Sequence, residues 1–500
     1  MHVASHRANY RESRGPPVTA PDQIRVRPYY EVSDAEWQAK LNELEAQPSP
    51  RVLFRGATIV TMDPDYPDLP KGDLLVEGDR ISKIAADLSE DALPGTVVVE
   101  AAGTILAPGL VDAHRHCWAN SLRRLIPDVD LDGYMATTHS VMASSYRPED
   151  MYAGDLATML GALDSGVTCV LDFSHNSRSS AHSDAVFAAY RDSGIRAVHA
   201  SAVPEAGEWD EQWPDDLARL YEEHCSSPGS LSTLRMATVT RLVKPIHELI
   251  EDARSRGLGM TLDVVLGPYG SATVADLAER GLLGPDLAFI HCTDLSDEAW
   301  GHIASSGTCV TLAPTSDAQL GILDGQFPIQ KCLDFGVRPS LSVDVEMSLA
   351  SDMFSQMRAV LVTQRAGAAT RRYAGETGFP MIETRDVLEF ATVQGARAVG
   401  LEDQIGSLTP GKQADLIMIQ AEDINNMPLN NAIGTIVLGT ESKNINAVFV
   451  AGVARKWNGA LVDQDVSRVR RLAQETRDYI GSRAGLSVDI VASQGTSTSS

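Results

Sequence analysis

Apolar residues along this chain follow two patterns. From Arg51, short β-type runs succeed one another: VLFRGATIVTM, then DLLVEGDRISKIA with a turn at Glu77-Gly78-Asp79, then TVVVEAAGTILAPG. Runs of this composition, bounded by Gly, Asp and Pro, predict strands of a small sheet. A similar block returns as ADLIMIQ (414–420) and NAVFVAGVARKWNG (446–459). Two β-rich pieces at opposite ends of a longer repeat predict one composite sandwich that the chain leaves and rejoins. Between them, apolar runs at 109–113, 167–173, 195–201, 234–240, 259–265, 287–292, 308–314 and 337–344 alternate with helical stretches such as KPIHELIEDARSRG and SDMFSQMRAVLVTQRAG. Eight strand-plus-helix units match the rhythm of a (β/α)8 barrel. The competing doubly wound sheet would carry GxGxxG after its first strand, and that motif is missing there.

The expected fold is therefore α/β, a (β/α)8 TIM barrel over 108–403 with a composite β-sandwich from 49–107 and 404–460. Five hundred residues exceed what one small core needs, which suits a large domain with a smaller partner. Residues 1–48 form an N-terminal extension that ends in the helix-like DAEWQAKLNELEAQ and packs on the surface or on a neighbouring subunit. Residues 461–500 supply a charged helix, VSRVRRLAQETRDYIGSRAG, and a tail, SQGTSTSS, whose composition predicts disorder.

Charge narrows the function classes. A formal net charge of −25 argues against nucleic acid, since a phosphate backbone needs a basic stripe. No apolar run reaches the roughly 18 residues that span a bilayer, and the N-terminus has no apolar signal region, so a cytoplasmic protein with no membrane partner is expected. Six scattered cysteines without a CxxC pair suit reduced thiols.

In a barrel of this kind, polar residues at the C-terminal ends of strands face the active site. The first strand ends in Asp112-Ala113-His114-Arg115-His116. Residues two apart in an extended segment point the same way, so His114 and His116 present both imidazoles to one ion. The sixth strand ends in His291 and the eighth in Asp344. A lone histidine at a strand end is more often a satisfied hydrogen-bonding residue than a ligand. Paired with HxH and an Asp on two other strands, it points to a zinc or iron site with an open position for water.

These segments carry a family resemblance. APGLVDAHRH (107–116), DSGVTCVLDFSHN (164–176), SDAVFAAYRDSGIRAV (183–198), HCTDLSDEAW (291–300), SLSVDVEMSLASDMFSQMR (340–358) and IGSLTPGKQADLIMI (405–419) resemble the amidohydrolase superfamily, in the branch of triazine hydrolases and deaminases of nucleobase-like heterocycles. The likeness spans roughly residues 50–460. It implies a hydrolase of a C–N or C–Cl bond in a small heterocyclic or amide substrate, acting through a metal-activated water. By position, the resemblance gives Asp344 the water's proton and has His291 hold the water or the substrate. It also implies a homo-oligomer, dimer or tetramer.

One departure matters. The family usually supplies a third His ligand from the fifth strand; here Asp263 occupies that position, and a Glu expected three residues later is Leu266. The simplest account is that His114, His116, Asp263 and Asp344 bind one divalent ion. A second anionic ligand makes the bound water a weaker acid and favours iron or manganese over zinc. The alternatives are a metal-free, repurposed enzyme that decarboxylates, dehydrates or cyclises, or a non-catalytic binding relative. His175, Trp118, Arg115, Glu205 and Glu346 are the expected substrate contacts, Trp118 by stacking on a planar ring and Glu346 as a replacement proton carrier. Each has a structural alternative in packing or loop fixing. Arg241 and His139 are further polar residues near the mouth.

Overall fold

The structure, a computed structural model, describes residues 27–239, 245–264, 267–322, 327–347, 349–486 and 490. The SQGTSTSS tail, Arg241 and Leu266 lie outside the described residues. Eight parallel strands stand side by side in chain order: β1 (Leu110–Arg115), β2 (Val167–Ser174), β3 (Arg196–Ser201), β4 (Ser232–Val239), β5 (Met260–Val264), β6 (Leu287–His291), β7 (Cys309–Leu312) and β8 (Ser340–Leu341). Every residue of β1, β2, β3, β5, β6 and β7 is buried, the pattern of a parallel sheet covered on both faces.

The eighth strand is shorter than the run 337–344 predicts. Asp344 has φ +69°, outside the β region, so regular pairing cannot continue through it. Closure passes instead to a parallel bridge between Arg115 and Asp344. There the Asp344 N–H donates to the His114 carbonyl and the His116 N–H to the Asp344 carbonyl, both at 3.0 Å. The Val343 N–H adds a bond to the Asp112 carboxylate at 3.0 Å.

The remaining strands form one nine-stranded sheet drawn from both ends of the chain. Thr104–Pro108 pairs in parallel with Arg51–Ile59 on one side and antiparallel with Leu416–Gln420 on the other. Val52, Phe54, Val76, Leu106, Met418 and Phe449 fill its core. The helix Asp34–Glu45 lies on this sheet, with Trp37 edge-on to Trp457 at 4.9 Å and the Trp457 indole N–H donating to the Trp37 carbonyl at 2.8 Å. The C-terminal helix Val466–Ala484 packs on the barrel helix Pro148–Asp164 through Thr476 to Asp150 (2.8 Å) and the Arg147 guanidinium over Tyr479. Sheet and barrel are joined by a buried two-pronged pair, Arg196 with Asp415, at 3.0 and 2.9 Å.

Helix Pro148–Asp164 also sets the position of the turn that follows His116. At Gly154 the helix comes so close to the Trp118 carbonyl that a Cβ would overlap its oxygen. Gly to Ala in an exposed helix interior ordinarily stabilises by about 1 kcal/mol. Here Gly154→Ala is expected to destabilise by about 1–3 kcal/mol, the cost of overpacking, measured as a lower urea midpoint at unchanged m-value.

Candidate metal centre

Five strand-end side chains meet at the C-terminal mouth of the barrel. The extended end of β1 turns His114 and His116 to the same side, with ring centroids 4.7 Å apart. The closure bridge sets Asp344 directly beside them. Its Oδ1 lies 3.2 Å from Nε2 of His114 and 3.2 Å from Nε2 of His116. Asp263, near the end of β5, brings Oδ1 to 4.0 Å from His114 Nε2. His291 completes the ring from β6, 5.7 Å from His114 between centroids. His114, His116 and Asp263 form one group of mutually close ligand atoms, and His114, His291 and Asp344 another. All five residues are buried.

Proximity alone does not satisfy these atoms. Both ring nitrogens of His114, Oδ1 of Asp263 and Oδ1 of Asp344 are buried without a hydrogen-bond partner. Orphaned acceptors cost about 1–3 kcal/mol each, and two carboxylates buried side by side repel. Burial pushes the Asp263 carboxyl up from its usual range, against the pull of the nearby imidazoles and with the help of the Asp344 charge. Burial acts on Asp344 in the same sense, but the His114 and His116 imidazoles, each 3.2 Å from Oδ1, outweigh it and hold that carboxyl well below the usual range. Converging imidazole and carboxylate atoms of this kind fit a divalent cation.

Two side chains from the turn after β7 reach the same place. Ser316 donates its hydroxyl to Oδ2 of Asp344, and Asp317 Oδ1 lies 2.6 Å from Nδ1 of His291. Burial opposes a charge on His291, yet the Asp317 carboxylate prevails and its pKa rises to about 10. His291 and Asp344 both hold left-handed backbone conformations, φ +68° and +69°. For non-glycine residues these are costly and persist only where the surroundings fix them.

A cavity of about 230 Å3 opens onto this cluster. Leu131, Met135, Val239, Leu320, Ile322 and Val345 give it apolar walls, and Tyr134, His139 and Glu205 line it with polar atoms. Of the residues expected to contact substrate, Glu205 faces this cavity, and His139 faces it as well. The others are placed differently. Arg115 is fully buried beside β8, ion-paired with Asp112 at 2.6 Å and Glu346 at 3.3 Å. Glu346 also takes the Arg123 guanidinium at 3.0 Å and the Asn120 amide at 2.8 Å. Both therefore serve the closure of the barrel; neither lines the cavity. Trp118 packs edge-on to Tyr146 at 4.9 Å and donates its N–H to Nε2 of His175 at 3.3 Å, so its indole is committed to packing. His175 sits behind His116 at 4.4 Å between rings, and burial pushes its pKa well down. Ser316, Asp317 and Tyr134 were not singled out from the sequence. The signal for the first two was available: APTSD directly follows a barrel strand, where polar residues point to the mouth.

With this geometry in view, comparison with known proteins is informative. The amidohydrolase family model matches residues 105–455. A 5′-deoxyadenosine deaminase of Methanosarcina mazei is 26% identical over 449 residues, covering 86% of this chain and 99% of the relative. A 5-methylthioadenosine/S-adenosylhomocysteine deaminase of Teredinibacter turnerae is 28% identical over 431 residues, covering 82% and 93%. Among solved structures, a zinc-bound adenosine deaminase from Xanthomonas campestris superposes with a TM-score of 0.74 at 23% identity, covering 86% of this chain and 98% of its own. A zinc-complexed atrazine chlorohydrolase from Arthrobacter aurescens gives 0.71 at 20% identity, covering 86% and 100%. Since the matched pattern spans well over half of its residues, the chain belongs to the amidohydrolase family.

Proposed function

We propose that this protein hydrolyses the bond between a ring carbon and its amino substituent in a small heterocycle, releasing ammonia. It is a hydrolase of carbon–nitrogen bonds other than peptide bonds, as its family and its deaminase relatives are. The observation that carries the reading is the meeting of His114, His116, Asp263, His291 and Asp344 at the barrel mouth, where all but His114 line a cavity with apolar walls. Aminated purine nucleosides, the substrates named for the relatives, are the first compounds to try.

His114, His116, Asp263 and Asp344 would hold a divalent metal. Such an ion, when bound, supplies Lewis-acid polarisation and brings the pKa of a coordinated water toward neutrality. Asp344, kept ionised among imidazoles, accepts a proton from the attacking water and returns it to the departing amine. His291 uses Nδ1 on Asp317, which leaves Nε2 to hydrogen-bond the water or the substrate. Oxygen adds to the ring carbon, the C–N bond breaks, one proton of water leaves with ammonia, and the other stays on the hydroxy or oxo product. Glu205 and Tyr134 bind polar edges of the heterocycle, while Leu131, Met135 and Ile322 exclude solvent from its faces.

Two measurements test this. His114→Ala is expected to lose the bound metal and to lower ammonia release by more than the roughly 100-fold typical of outer-sphere partners. Undiminished turnover by wild-type protein stripped of metal would reject the mechanism and favour acid–base chemistry without an ion. Elemental analysis of wild type for Zn, Fe and Mn is expected to show a preference for iron or manganese, because Asp263 is a harder ligand than imidazole. Asp263→His is expected to shift that preference toward zinc; identical metal content in both would remove Asp263 from the ligand set.

A further inference from the structure

The short helix Pro314–Leu320 after β7 contributes two consecutive side chains to the centre. Ser316 and Asp317 are both fully buried. Ser316 gives its only proton to Oδ2 of Asp344, and Asp317 takes Nδ1 of His291 at 2.6 Å. Neither residue belongs to the ligand groups described above, and neither lines the cavity. We infer that Ser316 and Asp317 are positioning residues, which act by fixing the rotation of Asp344 and the ring orientation of His291; this rests on the reading of those two as the reacting groups.

The physical need for such a device lies in the backbone. Asp344 and His291 both close their pairing at φ near +70°, so the backbone ladder places each Cα while the side-chain torsions are left to other contacts. An Asp carboxylate turns easily about its last bond, and its two oxygens are equivalent until one is engaged. The Ser316 hydroxyl engages Oδ2, which leaves Oδ1 directed at His114 and His116. An imidazole ring can present either nitrogen to a neighbour, and a carboxylate at Nδ1 fixes that nitrogen as a donor and turns Nε2 toward the centre.

The helix is itself anchored from behind. The Thr315 N–H and hydroxyl both meet Oε1 of Gln356, at 3.2 and 3.1 Å, on the long helix Met353–Tyr373. The Ile322 N–H bonds the Asp317 carbonyl at 3.1 Å at the other end. A rigid outer helix thus holds a turn, and the turn holds two groups that come from two other strands.

The test compares Ser316→Ala, Asp317→Ala and Asp317→Asn, each loaded with the metal found in wild type. Both alanine variants are expected to lower kcat by roughly 10- to 100-fold, with KM within about threefold and metal content unchanged. Asp317→Asn keeps an acceptor for Nδ1–H and is expected to recover part of the loss. Independently of turnover, proton NMR of the metal-free protein is expected to show a strongly downfield hydrogen-bonded imidazole proton from His291 that disappears in Asp317→Ala. Should wild type be inactive on every heterocycle offered, the function proposed above fails, while the resonance still decides the positioning of His291. An unchanged kcat in both alanine variants, activity lost only in proportion to metal, or a downfield proton insensitive to Asp317 would overturn the inference.

Discussion

Closure of the barrel is the constraint on which the centre depends. Where β1 meets β8, two backbone bonds of 3.0 Å join His114 and His116 to Asp344. The segment that carries the histidine pair is therefore hydrogen-bonded to the residue that carries the carboxylate, and their separation follows from the ladder. The seam is reinforced beneath by side chains: Asp112 accepts the Val343 N–H, Arg115 pairs with Asp112 and Glu346, and Arg123 pairs with Glu346. The charges of this cluster are compensated by one another: Arg115 stands between Asp112 and Glu346, and Arg123 adds a second cation to Glu346.

The same closure concentrates negative charge. Asp263 and Asp344 lie buried on the same His114, at 4.0 and 3.2 Å, and burial alone pushes both carboxyls toward protonation. Only Asp344 is brought down, by the two imidazoles beside its Oδ1. Asp263 keeps a buried oxygen without a partner, which carries the cost of an unpaired polar atom. A carboxylate at this corner makes the cluster one unit more negative than a neutral imidazole would.

The most specific stretch of family-like sequence proved to be architectural. IGSLTPGKQADLIMI holds no residue of the centre. Its Asp415 grips Arg196 of β3 and accepts the Ala451 N–H at 2.8 Å, while its carbonyl receives the Gly109 N–H at the entrance to β1. The nine-stranded sheet thus clamps the root of the strand whose far end bears His114 and His116. A motif far from the chemistry still determines where the chemistry sits.

What the sequence determined by itself was the alternation of β runs and helices, hence the barrel, and the residue types at strand ends, hence His114, His116, Asp263, His291 and Asp344. Both are local properties, since burial on two faces imposes continuous apolar runs and the pleat imposes the HxH spacing. Tertiary structure alone decided which neighbours of those residues face the cavity. Arg115 and Glu346 are one and two positions from ligand-type residues, yet the bridge at Asp344 turns them into the seam. Trp118 is spent on His175 and Tyr146. Ser316 and Asp317 acquire their meaning only when β6, β7 and β8 are brought together, because each bonds a residue more than 25 positions away. A hydrogen bond between distant segments leaves no periodic trace in the chain; it exists only once the barrel has closed.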